Sequence, residues 1–329
     1  MKISRVPKLD FLFIGETERL NGKHRAVLPG QYIELPEGVV RYELAGPEDG
    51  PLVVLVHGFL GHYMIWDRTF QALAAAGMRV LRYDLYGRGY SDRPFVLYNL
   101  NLYIKQLHDF LDALGIVESV NDERVHLVGL SMGGIISANF TARFPEKVRS
   151  LTLIDPAGFR LPRFWVMKAL ALPFVGELTF GLFPSYGLLH RMANRYFSRE
   201  SVEQLREQFI LQMRYKGFRR SLLSTIRCGV LGNALPAYRK VGETGLPVQL
   251  FWGCDDAAVP FRFSRKLLSV IPQANLTTVD GAGHFPHLEK PEIVNPALIQ
   301  FLRENDRQVY KDERVHDEQG CDEQVRKAV

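Results

Sequence analysis

The feature that most constrains this chain is an alternation. Six short apolar runs rich in β-branched residues, Leu52–Val56, Arg79–Tyr83, Val125–Leu130, Ser150–Ile154, Pro247–Trp252 and Asn275–Val279, are interleaved with segments of helical length. Those segments are Ile65–Ala76, Asn99–Leu114, Met132–Phe144, Phe261–Ile271 and Glu292–Glu304. Near-continuous apolar strands are buried on both faces, so the pattern predicts an α/β fold, a parallel sheet with helices on either side. Upstream, Pro36-Glu37-Gly38 separates two alternating runs, Tyr32–Leu35 and Val39–Leu44, and predicts an antiparallel hairpin at the start of the sheet.

The alternation stops at Gly158 and resumes near Gly245. Helical patterns in Phe164–Leu172, Gly187–Tyr196 and Ser201–Tyr215, with Ser198 or Ser201 as a cap, make the stretch between a helical insertion after the sixth strand. The strands beyond it are still needed to complete the sheet. The expected organisation is an N-terminal extension (1–30), the first part of the core (31–158), a helical cap (159–244), the second part of the core (245–303) and a charged tail (304–329).

Composition narrows the class further. The 329 residues are 47% hydrophobic and 23% charged, the proportions of a soluble globular protein, and no run of about 18 residues is free of both charge and polar punctuation. Three cysteines, Cys228, Cys254 and Cys321, form neither a disulfide framework nor a metal-ligand pattern. With no apolar leader at the N-terminus, the expected setting is reducing and cytoplasmic. The net charge of +5 hides an excess of +9 between Phe159 and Thr244. Arg191, Arg195, Arg199, Arg206, Arg214, Lys216, Arg219 and Arg220 could dock anionic lipid, a weak contact with a membrane surface, or an acidic substrate group. A solvated helix face is the more frequent explanation. Nucleic acid is disfavoured, because no aromatic-basic recognition module accompanies the charge.

The chemistry is concentrated at strand ends. Gly129-Leu130-Ser131-Met132-Gly133 follows a predicted strand and opens a predicted helix, the context that a G-x-S-x-G nucleophile turn requires. Such a turn is sharp, and Gly129, Gly133 and Gly134 supply the small residues it needs. Ser131 then stands at a strand's carboxyl end, where the helix N-terminus favours developing negative charge. A serine hydroxyl needs a base, and the base an orienting acid. His284, in Gly281-Ala282-Gly283-His284-Phe285-Pro286-His287, is the base, flanked by small residues that let it project. His287 reads as a surface histidine that solvates Glu289 or Glu292. Asp255 and Asp256 follow the strand Pro247–Trp252 and share its edge of the sheet. The order Ser131, Asp256, His284 is the one expected for this turn.

With these residues in place, the chain resembles the α/β-hydrolase superfamily, in its large group with a helical cap, from about Tyr32 to Leu302. The resemblance rests on Val56-His57-Gly58-Phe59, Asp84-Leu85-Tyr86-Gly87-Arg88-Gly89-Tyr90-Ser91-Asp92, the serine turn, Trp252-Gly253 to Pro260, and Gly283-His284. It implies a mostly parallel eight-stranded sheet. It favours Asp256 over Asp255 as the acid and keeps Asp155, at the end of the preceding strand, as runner-up. It implies an oxyanion hole from the backbone N–H groups of Phe59 and Met132, and loop-bracing roles for His57, Asp84 and Arg88. It calls for no cofactor and no metal. Leu153-Ile154-Asp155-Pro156-Ala157-Gly158-Phe159 is similar to the stretch leading into the cap of monoacylglycerol-lipase-like members.

A serine nucleophile disfavours the aspartate-dependent epoxide hydrolases and haloalkane dehalogenases. Leu60 stands where epoxide hydrolases carry proline. Carbon–carbon bond hydrolases of meta-cleavage products use serine, yet their loop is usually glycine- and proline-rich and a tryptophan usually follows the histidine; here the loop is Gly58-Phe59-Leu60-Gly61 and Phe285 follows His284. Cofactor-free haloperoxidase relatives share the triad and stay in view. Aromatic and apolar residues in the insert point to an apolar substrate, with Phe59, Trp165, Phe174, Phe183 and Phe285 as candidate lining, although sealing the insert onto the core explains such residues equally well. The expectation is a serine carboxylic-ester hydrolase, an esterase or lipase for medium to long acyl chains. The alternative is a carbon–carbon bond, amide or thioester hydrolase; a non-catalytic binding protein is disfavoured by the complete triad. The oligomeric state is not legible.

Overall fold

The computed structural model describes residues 13–115, 124–159, 169–172, 174–181 and 202–306. Eight strands form one sheet: β1 (Gln31–Leu35), β2 (Gly38–Ala45), β3 (Leu52–Val56), β4 (Arg79–Tyr83), β5 (Val125–Leu130), β6 (Val148–Ile154), β7 (Val248–Gly253) and β8 (Asn275–Val279). Their spatial order is β1-β2-β4-β3-β5-β6-β7-β8. β1 pairs antiparallel with β2, and β2 with β4; every later pairing is parallel. The chain leaves β3 toward β4 on one side and reaches β5 on the other. The carboxyl ends of β3 and β5 therefore flank a topological switch point, the place where open α/β sheets bind ligands.

Side chains alternate across β3, with Val54 and Val56 entering one core and Val53 and Leu55 the other. On the first face Leu107 and Phe110 of the helix Leu100–Ala113, and Ile135 and Phe140 of the helix Met132–Arg143, are fully buried or nearly so. Asn99 starts the former helix by accepting a hydrogen bond from Leu102 N at 2.9 Å, which satisfies one of its free amides. On the second face Phe70 and Leu73 of the helix Asp67–Ala75 pack with Val294, Leu298 and Leu302 of the helix at 291–306. Two buried faces on one sheet are what the unbroken apolar strands require.

Between β6 and β7 the described helices are Val175–Gly181, Val202–Gln212, Phe218–Arg227 and Leu235–Glu243. The last packs with the sheet's own helices: Tyr238 and Val241 belong to the first core, and Tyr238 Oη donates to Ala157 O at 2.6 Å. The other three carry a separate apolar cluster of Phe180, Phe209, Phe218, Leu222, Leu223 and Ile226, which Leu170 and Met213 from the adjoining chain and Phe13 from the N-terminal segment join. That segment is strapped to the insert. Glu18 and Tyr215 form a parallel bridge, and the Glu16 carboxylate accepts from Gly217 N at 2.6 Å and Arg219 N at 2.8 Å. Glu16 thereby caps the start of the helix Phe218–Arg227, whose own capping residue offers no side chain.

Two expectations are corrected here. Arg219 and Arg220 are not part of a solvated basic face: both are buried. Arg219 donates to Ile14 O at 2.6 Å, and Arg220 to Pro94 O and Arg93 O at 2.9 Å each, because backbone carbonyls of the N-terminal segment and of the loop after β4, packed against the insert, offer the acceptors that burial demands. His287 is not a surface histidine either. It is buried against Trp66, with ring centroids 4.6 Å apart, and its Nε2 pairs with Ile65 O at 3.1 Å; burial pushes its pKa down to about 3 and keeps it neutral. Trp165, Phe183, Arg191, Arg195, Arg199 and Cys321 lie outside the described residues. Among the described residues no helix is long and apolar enough to cross a membrane.

Candidate active site

Ser131 connects β5 to the helix Met132–Arg143 in a left-handed conformation, φ 54°, that a non-glycine residue adopts only under constraint. The constraint is backbone pairing with the next strand: Ser131 N donates to Ile154 O at 3.0 Å, and Ala157 N donates to Ser131 O at 3.1 Å. The turn leaves no space for neighbouring side chains. A Cβ on Gly133 would stand 2.0 Å from Val56 O, and one on Gly129 2.6 Å from Gly133 O. The tight turn therefore sets the serine above the helix N-terminus, with Gly58 of the β3 loop so near that its own Cβ would stand 3.2 Å from that of Ser131.

The loops after β7 and β8 bring an acid and a base together. Asp256 Oδ2 lies 2.8 Å from His284 Nδ1, and Asp256 Oδ1 accepts from Ala258 N at 2.6 Å and Val259 N at 2.9 Å. Two backbone donors fix the carboxylate, so the Nδ1–H of His284 has a stationary acceptor and Nε2 is left for chemistry. Asp255 is exposed. Asp155 is fully buried, and its Oδ1 accepts from Gly253 N at 3.0 Å. One donor atom from each of Asp155, Asp256 and His284 lies within 4.8 Å of the others. Asp256 and His284 spend theirs on each other, so the cluster is built for hydrogen bonding rather than as a ligand set for an ion.

One functional residue escapes sequence reasoning. Glu289 accepts from Gly283 N at 2.8 Å and from Phe285 N at 3.1 Å, gripping the two amides on either side of His284. The available signal is a carboxylate one helical turn beyond the loop, a position from which a side chain reaches back to free amides.

The loop after β3 is held from below. His57, buried, donates from Nδ1 to Gly58 O at 2.8 Å and accepts at Nε2 from Leu85 N at 3.0 Å; burial lowers its pKa to about 4, and neutrality suits this bridging. Asp84 accepts from Tyr63 N at 2.8 Å and Tyr90 N at 2.9 Å. Arg88 donates to Phe59 O at 2.7 Å, and the same guanidinium reaches Ser221 Oγ at 2.8 Å and Thr225 Oγ1 at 3.2 Å on the insert. It ties the residue whose amide is the expected oxyanion donor to the helix above it.

The candidate lining residues separate. Phe59 is half-buried and packs against both the first core and the apolar cluster of the insert. Phe285 is buried in the second core, edge-on to His284. Phe174 faces outward, 75% exposed, and does not wall the cluster. Phe13, Phe209 and Phe218, which sequence reasoning does not single out, take that place beside Phe59 and Leu60.

The model of the alpha/beta hydrolase family matches residues 53–297, and the chain belongs to that family. It is 27% identical over 285 residues to the AB hydrolase superfamily protein YfhM of Bacillus subtilis, covering 79% of this chain and 92% of that one. It is 29% identical over 285 residues to a 2-hydroxy-6-oxo-6-phenylhexa-2,4-dienoate hydrolase of Comamonas testosteroni, covering 82% and 93%. Among solved structures, the enol-lactonase from Burkholderia xenovorans LB400 superposes with a TM-score of 0.68 at 21% identity, over 83% of this chain and all of that one.

Proposed function

We propose that this hydrolase cleaves carboxylic esters with apolar medium to long acyl chains, through a covalent acyl-enzyme on Ser131. Ser131 Oγ attacks the ester carbonyl as its proton passes to His284 Nε2. Asp256, accepting from Nδ1, holds the ring and balances the imidazolium. The amides of Phe59 and Met132 donate to the oxyanion. His284 returns the proton to the leaving alcohol, then draws one from the water that resolves the acyl-enzyme. The observation that carries this reading is the 2.8 Å pair of His284 and Asp256, fixed by backbone amides at the sheet edge that also presents the strained turn of Ser131. The apolar cluster on the insert supports an acyl chain: a cap of this kind excludes water where a methylene gains about 0.8 kcal/mol by burial.

A second reading, carbon–carbon bond hydrolysis, is favoured by the likeness to the Comamonas testosteroni enzyme. One screen decides between them. Purified protein is offered p-nitrophenyl esters of graded chain length and 2-hydroxy-6-oxo-6-phenylhexa-2,4-dienoate, beside fluorophosphonate labelling. Ester turnover that rises with chain length, with the label on Ser131, is expected. Turnover of the dienoate alone overturns the ester reading.

A further inference from the structure

We propose that Ser221 and Thr225, on the insert helix Phe218–Arg227, are positioning residues for the oxyanion hole: through Arg88 they hold the Phe59 carbonyl, and with it the aim of the Phe59 N–H. The inference rests on the reading of Ser131 and its oxyanion donors given above. The direction of the Phe59 N–H is set by two rigid peptide planes that meet at the Phe59 Cα. The plane that contains this N–H also contains Gly58 O, which accepts from His57 Nδ1 at 2.8 Å. The next plane carries Phe59 O, which accepts from Arg88 Nε at 2.7 Å. With both planes held, rotation about the bonds of the Phe59 Cα is blocked from either side.

The second hold is only as firm as the guanidinium that makes it. Arg88 is fully buried, and among the described residues no carboxylate forms an ion pair with it. Its charge is met by neutral oxygens: Phe59 O, Gly87 O at 3.3 Å, Ser221 Oγ at 2.8 Å and Thr225 Oγ1 at 3.2 Å. A buried cation so placed depends on each acceptor. The two hydroxyls from the insert are themselves anchored. Thr225 Oγ1 donates to Ser221 O at 2.7 Å and pairs with Tyr103 Oη at 2.8 Å, which together with Arg88 fills the one donor and two acceptor places of a hydroxyl. Ser221 Oγ has Gly87 O at 2.9 Å and Phe218 O at 2.6 Å to receive its proton. The helix rests directly on the turn that bears Arg88: Gly87 has a φ of 83°, and a Cβ there would stand 2.5 Å from that of Ser221. Two rows of this helix therefore differ in what they meet. Phe218, Leu222 and Ile226, spaced by four, enter the apolar cluster, while Ser221 and Thr225, also four apart, meet Arg88. The element that walls the acyl chain in the reading above also sets the amide that receives the oxyanion.

The test compares Ser221→Ala, Thr225→Val, Thr225→Ser and Ser224→Ala in the full-length protein by p-nitrophenyl butyrate hydrolysis, affinity for an alkyl trifluoromethyl ketone, fluorophosphonate labelling and melting temperature. The ketone adds to a serine as a tetrahedral oxyanion, so its affinity reads the hole. Ser224 is the control: on the same helix, it accepts from Tyr98 N at 3.1 Å and is bonded to the core through that amide rather than through Arg88. Removing one oxyanion donor outright costs roughly 10²–10³ in kcat, so misaiming it in Ser221→Ala or Thr225→Val is expected to cost about tenfold, with KM unchanged and ketone affinity falling by the same factor. Thr225→Ser keeps the oxygen and should retain the wild-type kcat. Ser224→Ala should lower the melting temperature and leave kcat and ketone affinity in place. A loss of kcat in Ser224→Ala as large as in the other two would show a role confined to folding and overturn the proposal, as would a fall in kcat without a fall in ketone affinity. If wild type carries no label on Ser131, the reading of the site fails and takes this proposal with it; an intact label with unchanged ketone affinity in Ser221→Ala and Thr225→Val overturns the proposal alone.

Discussion

The carboxyl edge of the sheet and the insert above it are held together by different forces. At the edge, polar side chains are fastened to main-chain groups: Asp256 to Ala258 N and Val259 N, Glu289 to Gly283 N and Phe285 N, Asp84 to Tyr63 N and Tyr90 N, His57 to Gly58 O and Leu85 N. In the insert, cohesion comes from apolar side chains and from guanidinium groups reaching across, as in the pair of Arg227 with Glu177. Main-chain donors stay in place whatever residue carries them. The edge can therefore keep angstrom-level geometry while its surroundings change, whereas the insert depends on which side chains fill it. One region is suited to chemistry and the other to specificity.

The sharpest way to break this comparison is at the edge. Ser131→Ala should lower kcat by roughly 10³-fold or more while the melting temperature holds, because alanine occupies the turn as readily as serine. Continued turnover with labelling elsewhere would move the nucleophile off the edge.

The next effect concerns the strap. Burial, outweighing the amides of Arg219 and Gly217, pushes the Glu16 carboxyl up from 4.5 to about 7. A carboxyl raised on folding contributes stability that is complete below pH 4.5 and is lost as pH climbs through 7. The loss is about 3 kcal/mol between those limits. The unfolding free energies of wild type and Glu16→Gln, from urea titrations across pH 4.5 to 8, should diverge by about that amount over the range, and the comparison cancels the buried histidines His57, His62 and His287. Parallel curves would show that the cap on Phe218–Arg227 does not depend on charge.

Glu289→Ala sharpens the comparison, since it frees two amides around His284 without touching the reacting groups. A loss of about tenfold in kcat with KM unchanged is expected, with about 1 to 2 kcal/mol of stability. Equal effects on kcat and KM would make Glu289 part of the binding surface instead. The smallest effect separates two phenylalanines of the insert. Phe209→Leu should change the ratio of kcat/KM for long and short p-nitrophenyl esters by about threefold, and exposed Phe174→Leu should leave it unchanged.

The same division decides what could be read from the chain. β3, β4, β5 and β8 have the limits that apolar β-branched runs predict, and the hairpin turns at Pro36-Glu37-Gly38. Glycines at the serine turn were legible because main-chain collisions forbid anything larger. The helix Phe218–Arg227, the inward turn of Arg219 and Arg220, and the seating of Phe13 were not, because each is settled by partners some fifty to two hundred positions away. His287 misleads for a related reason. Next to Glu289 in sequence it looks polar, and only the Trp66 ring and Ile65 carbonyl, brought by another helix, make it a core residue.

Glu16 meets its partners 201 and 203 positions later in the chain. A ribosome releases the N-terminus first, so this clasp must wait, at about 5 to 20 residues per second, for some ten seconds or more until residues 214–219 have emerged. During that interval Phe13 has no pocket to enter, and the nascent chain carries an aromatic side chain exposed to whatever binds hydrophobic segments in the cell.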